Sequence, residues 1–516
     1  MTADEIYRRF PTFIREYIYR SGWEELREVQ MQAAETLLET GNNLLLSSGT
    51  ASGKTEAAFF PIITDLMDHP PVRGGISVLY IAPLKSLIND QFLRLDALLD
   101  EAGIPVWHWH GDVSASQKAK LLKNPEGILQ ITPESLESML MRRSNDIPRL
   151  FGALRYVVID EIHTLIASDR GNQILCQICR IERKAGVSVR RVGLSATIGN
   201  LKAAADWLGG GSMRATAAPV PSPTKLHWRL GMEHFYIQNR ELDQTNDVQA
   251  LGQTAAKASL DAGYEFLYDA VKDKKSLVFS NSREETEYTT ATLRQIAERR
   301  GDPDIFLIHH GNLSASLRED AEIKMKDEEI ARAVTCATVT MELGIDIGRL
   351  ERVAQIGAPT TVAGFLQRLG RSGRRGAPPE MMMVFREENP LPNAPLPELI
   401  PWELLRAIAI VELYRGERFI EPPRHRHLPF SLLYHQTLSI LASSGELQPK
   451  ILADRVLSLP PFREVGREDY RALLISMLEH EDIERTDEGG LIIGLRGERM
   501  ISGYRFFAVF KDSDDY

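Results

Sequence analysis

Hydrophobic and polar positions divide the chain into three regimes. Between about residues 25 and 210, the apolar or β-branched runs "NLLLSS", "SVLYIAP", "GILQIT", "RYVVIDE" and "RRVGLSA" alternate with longer stretches patterned as helices. Short continuous apolar runs separated by helices predict parallel strands covered on both faces, the rhythm of an α/β domain. Gly, Pro, Ser and polar residues then concentrate in "GGGSMRATAAPVPSP" and "NRELDQTNDVQALGQTAAKAS", with a candidate strand, "HWRLGMEHFYI", between them, so a domain junction is expected there. The rhythm resumes with "KSLVFSNS", "DIFLIHH", "RAVTCAT" and "RVAQIGA" up to about residue 390, which predicts a second α/β domain in series.

After "EENPLPNAPLPELIP" the pattern turns helical. "LLYHQTLSILASSGE", "PKILADRVLS" and "REDYRALLISMLEHE" predict three helices, and "DIERTDEGGLIIGL" a hairpin turning at Asp487 to Gly490. Three helices followed by a hairpin suggest a winged helix. The last stretch, "RFFAVFKDSDDY", is patterned as a strand that stops abruptly, and the expectation is a chain cut within or before a further domain. The expected boundaries are 1–215 and 263–395 for the α/β domains, 216–262 for a linker and 396–516 for the C-terminal domain.

Length fits this division, since 516 residues at about 150 per domain make roughly three. A content of 43% hydrophobic and 26% charged residues excludes disordered and fibrous classes. Cys176, Cys179 and Cys336 are too few for a disulfide framework, and the first two lack the partners of a zinc or cluster site. They read as reduced thiols of a cytoplasmic enzyme, in keeping with a start, "MTADEIYRRF", that has no apolar signal core and with no run long enough to span a membrane. The net charge of −10 argues against coating nucleic acid by bulk positive charge, so a polyanion partner requires a local Lys and Arg track.

The candidate chemistry starts at Ser48-Gly49-Thr50-Ala51-Ser52-Gly53-Lys54-Thr55, between a strand and a helix. Backbone N–H groups at such a helix start can cradle phosphates while Lys54 bridges the outer ones and the Thr55 hydroxyl holds magnesium. Ser48 stands where the strict pattern has Gly, and taken alone the segment is equally an ordinary loop. "RYVVIDEIH" delivers Asp160 and Glu161 to the carboxyl end of a buried strand, where open α/β sheets bind ligands. Asp160 suits the metal, and Glu161 suits orienting and deprotonating a water. "FLQRLGRSGRR" concentrates Gln367, Arg368, Arg371, Arg374 and Arg375, and at spacing three Arg371 and Arg374 are expected to share a helical face and reach the nucleotide; a solvated basic patch is the alternative. His108 and His110 alternate on a predicted strand and are expected to pack or hydrogen-bond rather than bind metal.

These segments, with others in order, resemble the superfamily 2 helicases of DEAD/DEAH-box type, and most nearly their Lhr-type (large helicase-related) branch. The resemblance rests on "LREVQMQAAE", "SGTASGKT", "IAPLKSLINDQ", "ITPESLE", "DEIH", "SAT", "VFSNSR", "TCATVTMELGIDI" and "QRLGRSGRR". "HWHGDVSASQKAKLLKNPEGILQITPESL" and "IHHGNLSASLRED" point to the Lhr branch. Glu28 replaces the usual Pro of the first motif, and Ser48 and Ala51 replace the commoner Ala and Gly of the second.

The resemblance implies two tandem RecA-like domains followed by a winged-helix domain, with ATP and Mg2+ as cofactors. It assigns Gln30, Thr50, Ala51, Ser52, Gly53, Lys54, Thr55, Gly344 and Asp346 to nucleotide binding, Thr55 and Asp160 to the metal, and Lys54, Asp160, Glu161, Gln367, Arg371 and Arg374 to hydrolysis. It assigns Pro83, Leu84, Lys85, Thr132, Pro133, Glu134, Ser282, Arg283 and Thr338 to the nucleic-acid backbone, and Ser195, Ala196 and Thr197 to coupling. The implied function is ATP-driven movement 3′ to 5′ on single-stranded DNA, with displacement of the complementary strand from tailed duplexes, in repair or defence. The expected state is a cytoplasmic monomer without membrane contact.

The connection between "GIDIG" and "QRLGR" is too short for the strand-splitting hairpin of related Ski2-type enzymes. The C-terminal domain, preceded by Arg424, His425, Arg426 and His427, is therefore the candidate for holding duplex, with plain packing against the motor as the alternative. An RNA-dependent ATPase remains open, although Ile162 and His163 stand where DEAD-box RNA enzymes have Ala and Asp. So does an ATP-gated nucleic-acid-binding subunit of a repair or defence complex.

Overall fold

A computed structural model of the chain describes residues 1–49, 53–166, 168–196, 198–220, 227–237, 261–342, 347–348, 350–373, 378–391, 393–423 and 428–511. They fall into two compact units, the first drawn from Met1–Ser48, Ser52–Ser222 and Pro422–Asp512, the second mainly from Pro223–Glu421.

The first unit is built on a seven-stranded sheet of β1 (Asn43–Ser47), β2 (Gly75–Ile81), β3 (Val106–Trp109), β4 (Glu126–Ile131), β5 (Tyr156–Ile159), β6 (Arg190–Ser195) and β7 (Thr216–Ala217). The order is β3-β4-β2-β5-β6-β1-β7, and every pairing is parallel. Each residue of β1, β2, β5 and β6 is buried, as continuous apolar runs covered on both faces require. Strand β6 begins with two arginines, which a buried strand tolerates only if both guanidinium groups are satisfied. Arg190 donates to the carbonyls of Leu37 and Thr36 at 2.7 and 2.8 Å, closing the C-terminus of the helix Glu28–Glu39. Arg191 donates to Leu208 and Gly210 at 3.0 and 2.6 Å, doing the same for the helix Leu201–Leu208. Each cation sits where the helix dipole favours it.

The second unit holds β8 (Arg229–Ile237), β9 (Ser276–Phe279), β10 (Phe306–His309), β11 (Val334–Ala337), β12 (Arg352–Ile356) and β13 (Glu380–Glu388), again all parallel, in the order β10-β11-β9-β12-β13-β8. The candidate strand between the two polar stretches is thus the edge strand β8, in register with β13 from Arg229↔Glu380 to Ile237↔Glu388.

After residue 428 come the helices Phe430–Ser444, Pro449–Leu457 and Arg467–Glu479, then the antiparallel hairpin of β14 (Ile483–Arg485) and β15 (Leu491–Ile493). The hairpin turns where the sequence places it. "RFFAVF" is not a strand: Tyr504–Phe507 is a short helix. Adjacent side chains of a strand point to opposite faces, whereas Phe506 and Phe507 are both buried in one core.

That core also takes in Met141, Cys176 and Cys179, so this segment and the first sheet's helices share apolar packing. All three cysteines are buried free thiols. A buried polar hub crosses the same contact. Glu137, fully buried on the helix Pro133–Arg142, accepts from Arg180 at 2.5 Å, Gln177 at 2.9 Å, Gln436 at 3.2 Å and the Ser439 hydroxyl. Burial by itself raises a carboxyl pKa, but Arg180, His435, Ser439 and Gln177 outweigh it and bring Glu137 down to about 2.

A carboxyl held below its ordinary value of 4.5 contributes stability that is full above that pH and lost as the pH falls toward about 2. Glu137→Gln leaves the Arg180 charge without its counter-ion and should lower the unfolding free energy of the first unit by about 3 kcal/mol near neutral pH. The deficit should shrink on acidification. Urea titrations at several pH values check this, and a pH-independent deficit would contradict it.

Candidate functional site

In the first unit, β1 gives way to the helix Lys54–Asp68 through Gly53, which caps the helix at φ 77°, ψ 34°. This left-handed conformation suits glycine. A Cβ there would also stand 3.0 Å from Gln30 Nε2, so the glycine lets Gln30 lie against the loop. Gln30 Oε1 accepts from the Arg27 N–H at 2.9 Å, while its Nε2 is buried without a hydrogen-bond partner. Lys54 Nζ donates to the Ser48 carbonyl at 2.7 Å, and Thr55 is half-buried in the first turn of the helix. Thr50, Ala51 and Ser52 lie outside the described residues.

Asp160 follows β5 directly, and its N–H donates to the Ile81 carbonyl at 2.9 Å. The Tyr80 hydroxyl donates to one carboxylate oxygen, and the Glu161 N–H to the other at 2.9 Å. Burial, then the charge of Glu161, pushes the Asp160 carboxyl up, and Lys54 is among the groups opposing the shift. The structure therefore brings Lys54 within electrostatic reach of Asp160. Glu161 sits at φ 50°, ψ 44°, a left-handed backbone that a side chain with Cβ rarely takes. Such strain concentrates at functional positions.

The expected coupling segment, Ser195 to Thr197, lies beside both the loop strand and His163. His163 Nδ1 is 3.2 Å from the Ser195 hydroxyl and 3.4 Å from Glu161 Oε2. Ser48 N–H donates to the Ser195 carbonyl at 3.2 Å, and the Ser47 hydroxyl to the Ala196 carbonyl at 3.0 Å. Ser195 thus meets the phosphate-loop strand directly and Glu161 through His163, and Ala196 meets that strand alone; Thr197 lies outside the described residues.

In each unit the residues expected on the track lie just after strand ends, several of them at helix starts. Leu84 caps and Lys85 opens the helix Lys85–Leu99 after β2, with Lys85 Nζ 2.9 Å from Asp112. Thr132 caps the helix Pro133–Arg142 after β4, its hydroxyl accepting from the Ser135 N–H at 3.4 Å. In the second unit, Ser282 caps the helix Arg283–Arg300 after β9 and accepts from the Glu285 N–H at 3.1 Å. Thr338 follows β11, and its hydroxyl is buried without a hydrogen-bond partner. Helix N-termini offer unpaired N–H donors and a favourable dipole to an anion such as a phosphate.

The arginine segment differs from expectation. Its helix is Val362–Leu369, closed by Gly370, so Gln367 is helical but Arg371 lies in the turn beyond. Arg371 and Arg374 therefore do not share a helical face. Arg371 is buried and donates to the Glu342 carbonyl, while Arg368 pairs with the Glu342 carboxylate. Arg374, Arg375, Gly344, Asp346 and the run Arg424 to His427 lie outside the described residues.

Sequence reasoning missed the groups that hold this edge together. Arg170 donates to the Pro83 carbonyl at 2.6 Å and to Glu134 at 2.8 Å, fastening two track loops with one buried side chain. Glu134 is itself buried in that pair. Gly193 on β6 is needed because a Cβ would stand 2.2 Å from Ile162 Cδ1. Tyr80, the penultimate residue of β2, is readable from sequence only as one more apolar strand position. His108 lies within β3, and His110 Nε2 meets Asn89 Oδ1 at 2.9 Å; among the described residues no cluster of His, Cys, Asp and Glu suits a metal on its own.

Two parallel sheets in tandem, the first with a phosphate loop and a paired acid at its carboxyl edge, define the RecA-like architecture of superfamily 2 helicases. Residues 27–204 match the DEAD/DEAH box helicase family and residues 260–376 the helicase conserved C-terminal domain. The ATP-dependent helicase Lhr-Core of Methanothermobacter thermautotrophicus is 31% identical over 72% of this chain and 43% of its own length. Lhr-Core of Sulfolobus acidocaldarius is 31% identical over 91% of this chain and 52% of its own. The Mycobacterium smegmatis helicase Lhr, solved with ssDNA and AMP-PNP, superposes with a TM-score of 0.74 at 25% identity, over 96% of this chain and 62% of that one. The chain belongs to the superfamily 2 helicases, in their Lhr-type branch, and spans about half the length of the curated relatives it matches.

Because His163 is the side chain between Glu161 and Ser195, His163→Ala should lower any stimulation of ATP hydrolysis by a nucleic-acid strand about tenfold, equivalent to about 1.4 kcal/mol of barrier. Steady-state hydrolysis with and without the strand checks this. An unchanged ratio would remove His163 from the coupling path.

Proposed function

We propose that this chain is an ATP-driven motor that moves 3′ to 5′ along single-stranded DNA and displaces the complementary strand. The observation that carries the reading is the carboxyl edge of the first sheet, where Lys54, the acidic pair with its left-handed Glu161, and the helix starts at Lys85 and Pro133 occur together. The same edge suits a nucleotide on one side and a phosphate backbone on the other.

The residues fit ATP and Mg2+. The buried, unpartnered Nε2 of Gln30 against Gly53 is a donor placed for a purine acceptor. Thr55 and Asp160 supply the few oxygen donors that Mg2+ takes from protein, the rest of its shell being phosphate and water. When bound, Mg2+ neutralises charge on the phosphate oxygens. Lys54 holds the outer phosphates, Glu161 orients the attacking water and takes its proton, and Arg371 with Arg374 stabilises charge on the transferring phosphoryl group. Gln367, Gly344 and Asp346 complete the nucleotide contacts. His163, Ser195, Ala196 and Thr197 pass the state of the acidic pair toward the track.

On the track, Pro83, Leu84, Lys85, Thr132, Pro133, Ser282, Arg283 and Thr338 meet phosphate and sugar, and Glu134 positions its loop through Arg170. Backbone contacts carry no sequence information, so the motor steps over any base. Alternation between states of different strand affinity, biased by ATP and its products, converts hydrolysis into movement. The three helices and hairpin after residue 428 serve as a winged helix that guides the strand or duplex. The setting is a cytoplasmic monomer acting in DNA repair or defence.

Single-stranded DNA should raise ATP hydrolysis about tenfold or more, and Lys54→Ala or Glu161→Gln should abolish the hydrolysis. A rate indifferent to nucleic acid would remove the motor reading. A duplex with a 3′ tail should be unwound and one with a 5′ tail left intact; the reverse overturns the polarity. Stronger stimulation by RNA of the same sequence would favour an RNA helicase, and hydrolysis without displacement an ATP-gated binding subunit.

A further inference from the structure

We infer that the track of the first unit has a further station: a cavity beside β3 that seats one unpaired nucleotide of the strand, its base against Trp109 and its phosphate among Lys118, Arg142 and Arg143. The inference rests on the single-strand-tracking reading above and adds a residue set to it.

Sheet order is the first support. The proposed contacts at Pro83–Lys85 and Thr132–Glu134 follow β2 and β4, and the next strand outward is β3. Trp109 is the last residue of β3 and pairs with Ile131, immediately before Thr132. Parallel neighbours lie about 4.8 Å apart, so Trp109 is the next position along the carboxyl edge.

The cavity itself is the second. It measures about 740 Å³ and is lined by Trp109, Lys118, Ser138, Arg142, Arg143 and Ser443 among others. Ser138 and Arg142, four residues apart, share one face of the helix whose N-terminus Thr132 caps. One helix therefore presents its start to the track and its C-terminal half, with the residues that follow it, to the cavity.

Chemistry is the third. Trp109 is half-buried, packed against the core of the first unit, with Lys118 Nζ 5.7 Å from its ring centroid. Arg142 is fixed by donation to the Ser502 carbonyl at 2.9 Å and by stacking 4.9 Å over Phe507. Arg143 faces Asp146 at 3.6 Å, leaving the three cations of the lining in excess over its one acid. In a chain of net charge −10 this is a local reversal of sign. An indole face with cations beside it is the combination that binds a base and its phosphate without regard to sequence. The Ser502 and Phe507 contacts also mean that the C-terminal segment shapes the seat.

The test is fluorescence anisotropy of the full chain with labelled oligothymidylates of increasing length. Wild type should gain affinity as the oligomer becomes long enough to reach Trp109. Trp109→Ala and Lys118→Glu should each lose about tenfold of that gain and leave the affinity for the shortest oligomers unchanged. Trp107→Ala, on the same strand but not lining the cavity, should behave as wild type. Equal affinities of both variants and wild type at every length would overturn the inference while leaving the motor reading intact; no binding of any oligomer by wild type would overturn both. Tryptophan quenching by free thymidine monophosphate that long oligothymidylates fail to displace would assign the seat to a free nucleotide and overturn its place on the strand.

Discussion

Parallel pairing throughout both sheets is the constraint on which the other features depend. It sends every strand of a sheet toward one edge, and the helices that follow β1, β2, β4 and β9 open there with the positive ends of their dipoles. An edge so assembled is electropositive without any net positive charge on the protein. A chain of net charge −10 can therefore carry a polyanion site: the attraction comes from aimed backbone dipoles and a few placed cations.

Against that edge the first unit keeps several groups in uncomfortable states. Glu161 holds a left-handed backbone, Gln30 buries an unpaired donor, and Asp160 is a buried acid whose carboxyl is pushed up by burial and by Glu161. Each is a cost in the free protein, and on the proposed reading a nucleotide with its divalent cation would offset the buried donor and the buried acid. The cost is met by rigid support around it. Arg170 clamps two loops, Arg190 and Arg191 close two helices, and Glu137 with Arg180 binds the C-terminal helices to the helix whose first residue follows Thr132. The C-terminal segment thus shares both apolar core and polar hub with the rest of the first unit, so a strain on one reaches the other through buried contacts.

What could be read from the sequence follows from the range of each signal. Buried parallel strands leave continuous apolar runs, so β1, β5, β6, β9, β10, β11 and β12 fall within the runs that the pattern marks, while β2 begins two residues and β4 one residue ahead of theirs. The phosphate loop and the Asp160–Glu161 pair are local motifs and stood out equally. Local pattern misleads where a single glycine sets a helix boundary: Gly370 ends the helix before Arg371, and Gly503 starts a short helix in a stretch patterned as a strand. Contacts between distant positions left no pattern at all. Tyr80 meets Asp160 across 80 residues, Arg170 meets Pro83 across 87, and Gln436 meets Glu137 across 299, and each is only an isolated polar residue until the fold brings the pair together.

The central claim is that one sheet edge of the first unit carries both the nucleotide and the strand. Hydrogen exchange followed by mass spectrometry, on the free chain, with a non-hydrolysable ATP analogue and Mg2+, with single-stranded DNA, and with both, tests it most directly. The account expects slowed exchange at Gly53–Thr55 and Asp160–His163 with nucleotide, at the helix starts Lys85–Ile88 and Pro133–Leu136 with DNA, and at all four segments when both are present. Protection confined to other surfaces, or DNA protection that leaves both helix starts unchanged, would contradict it.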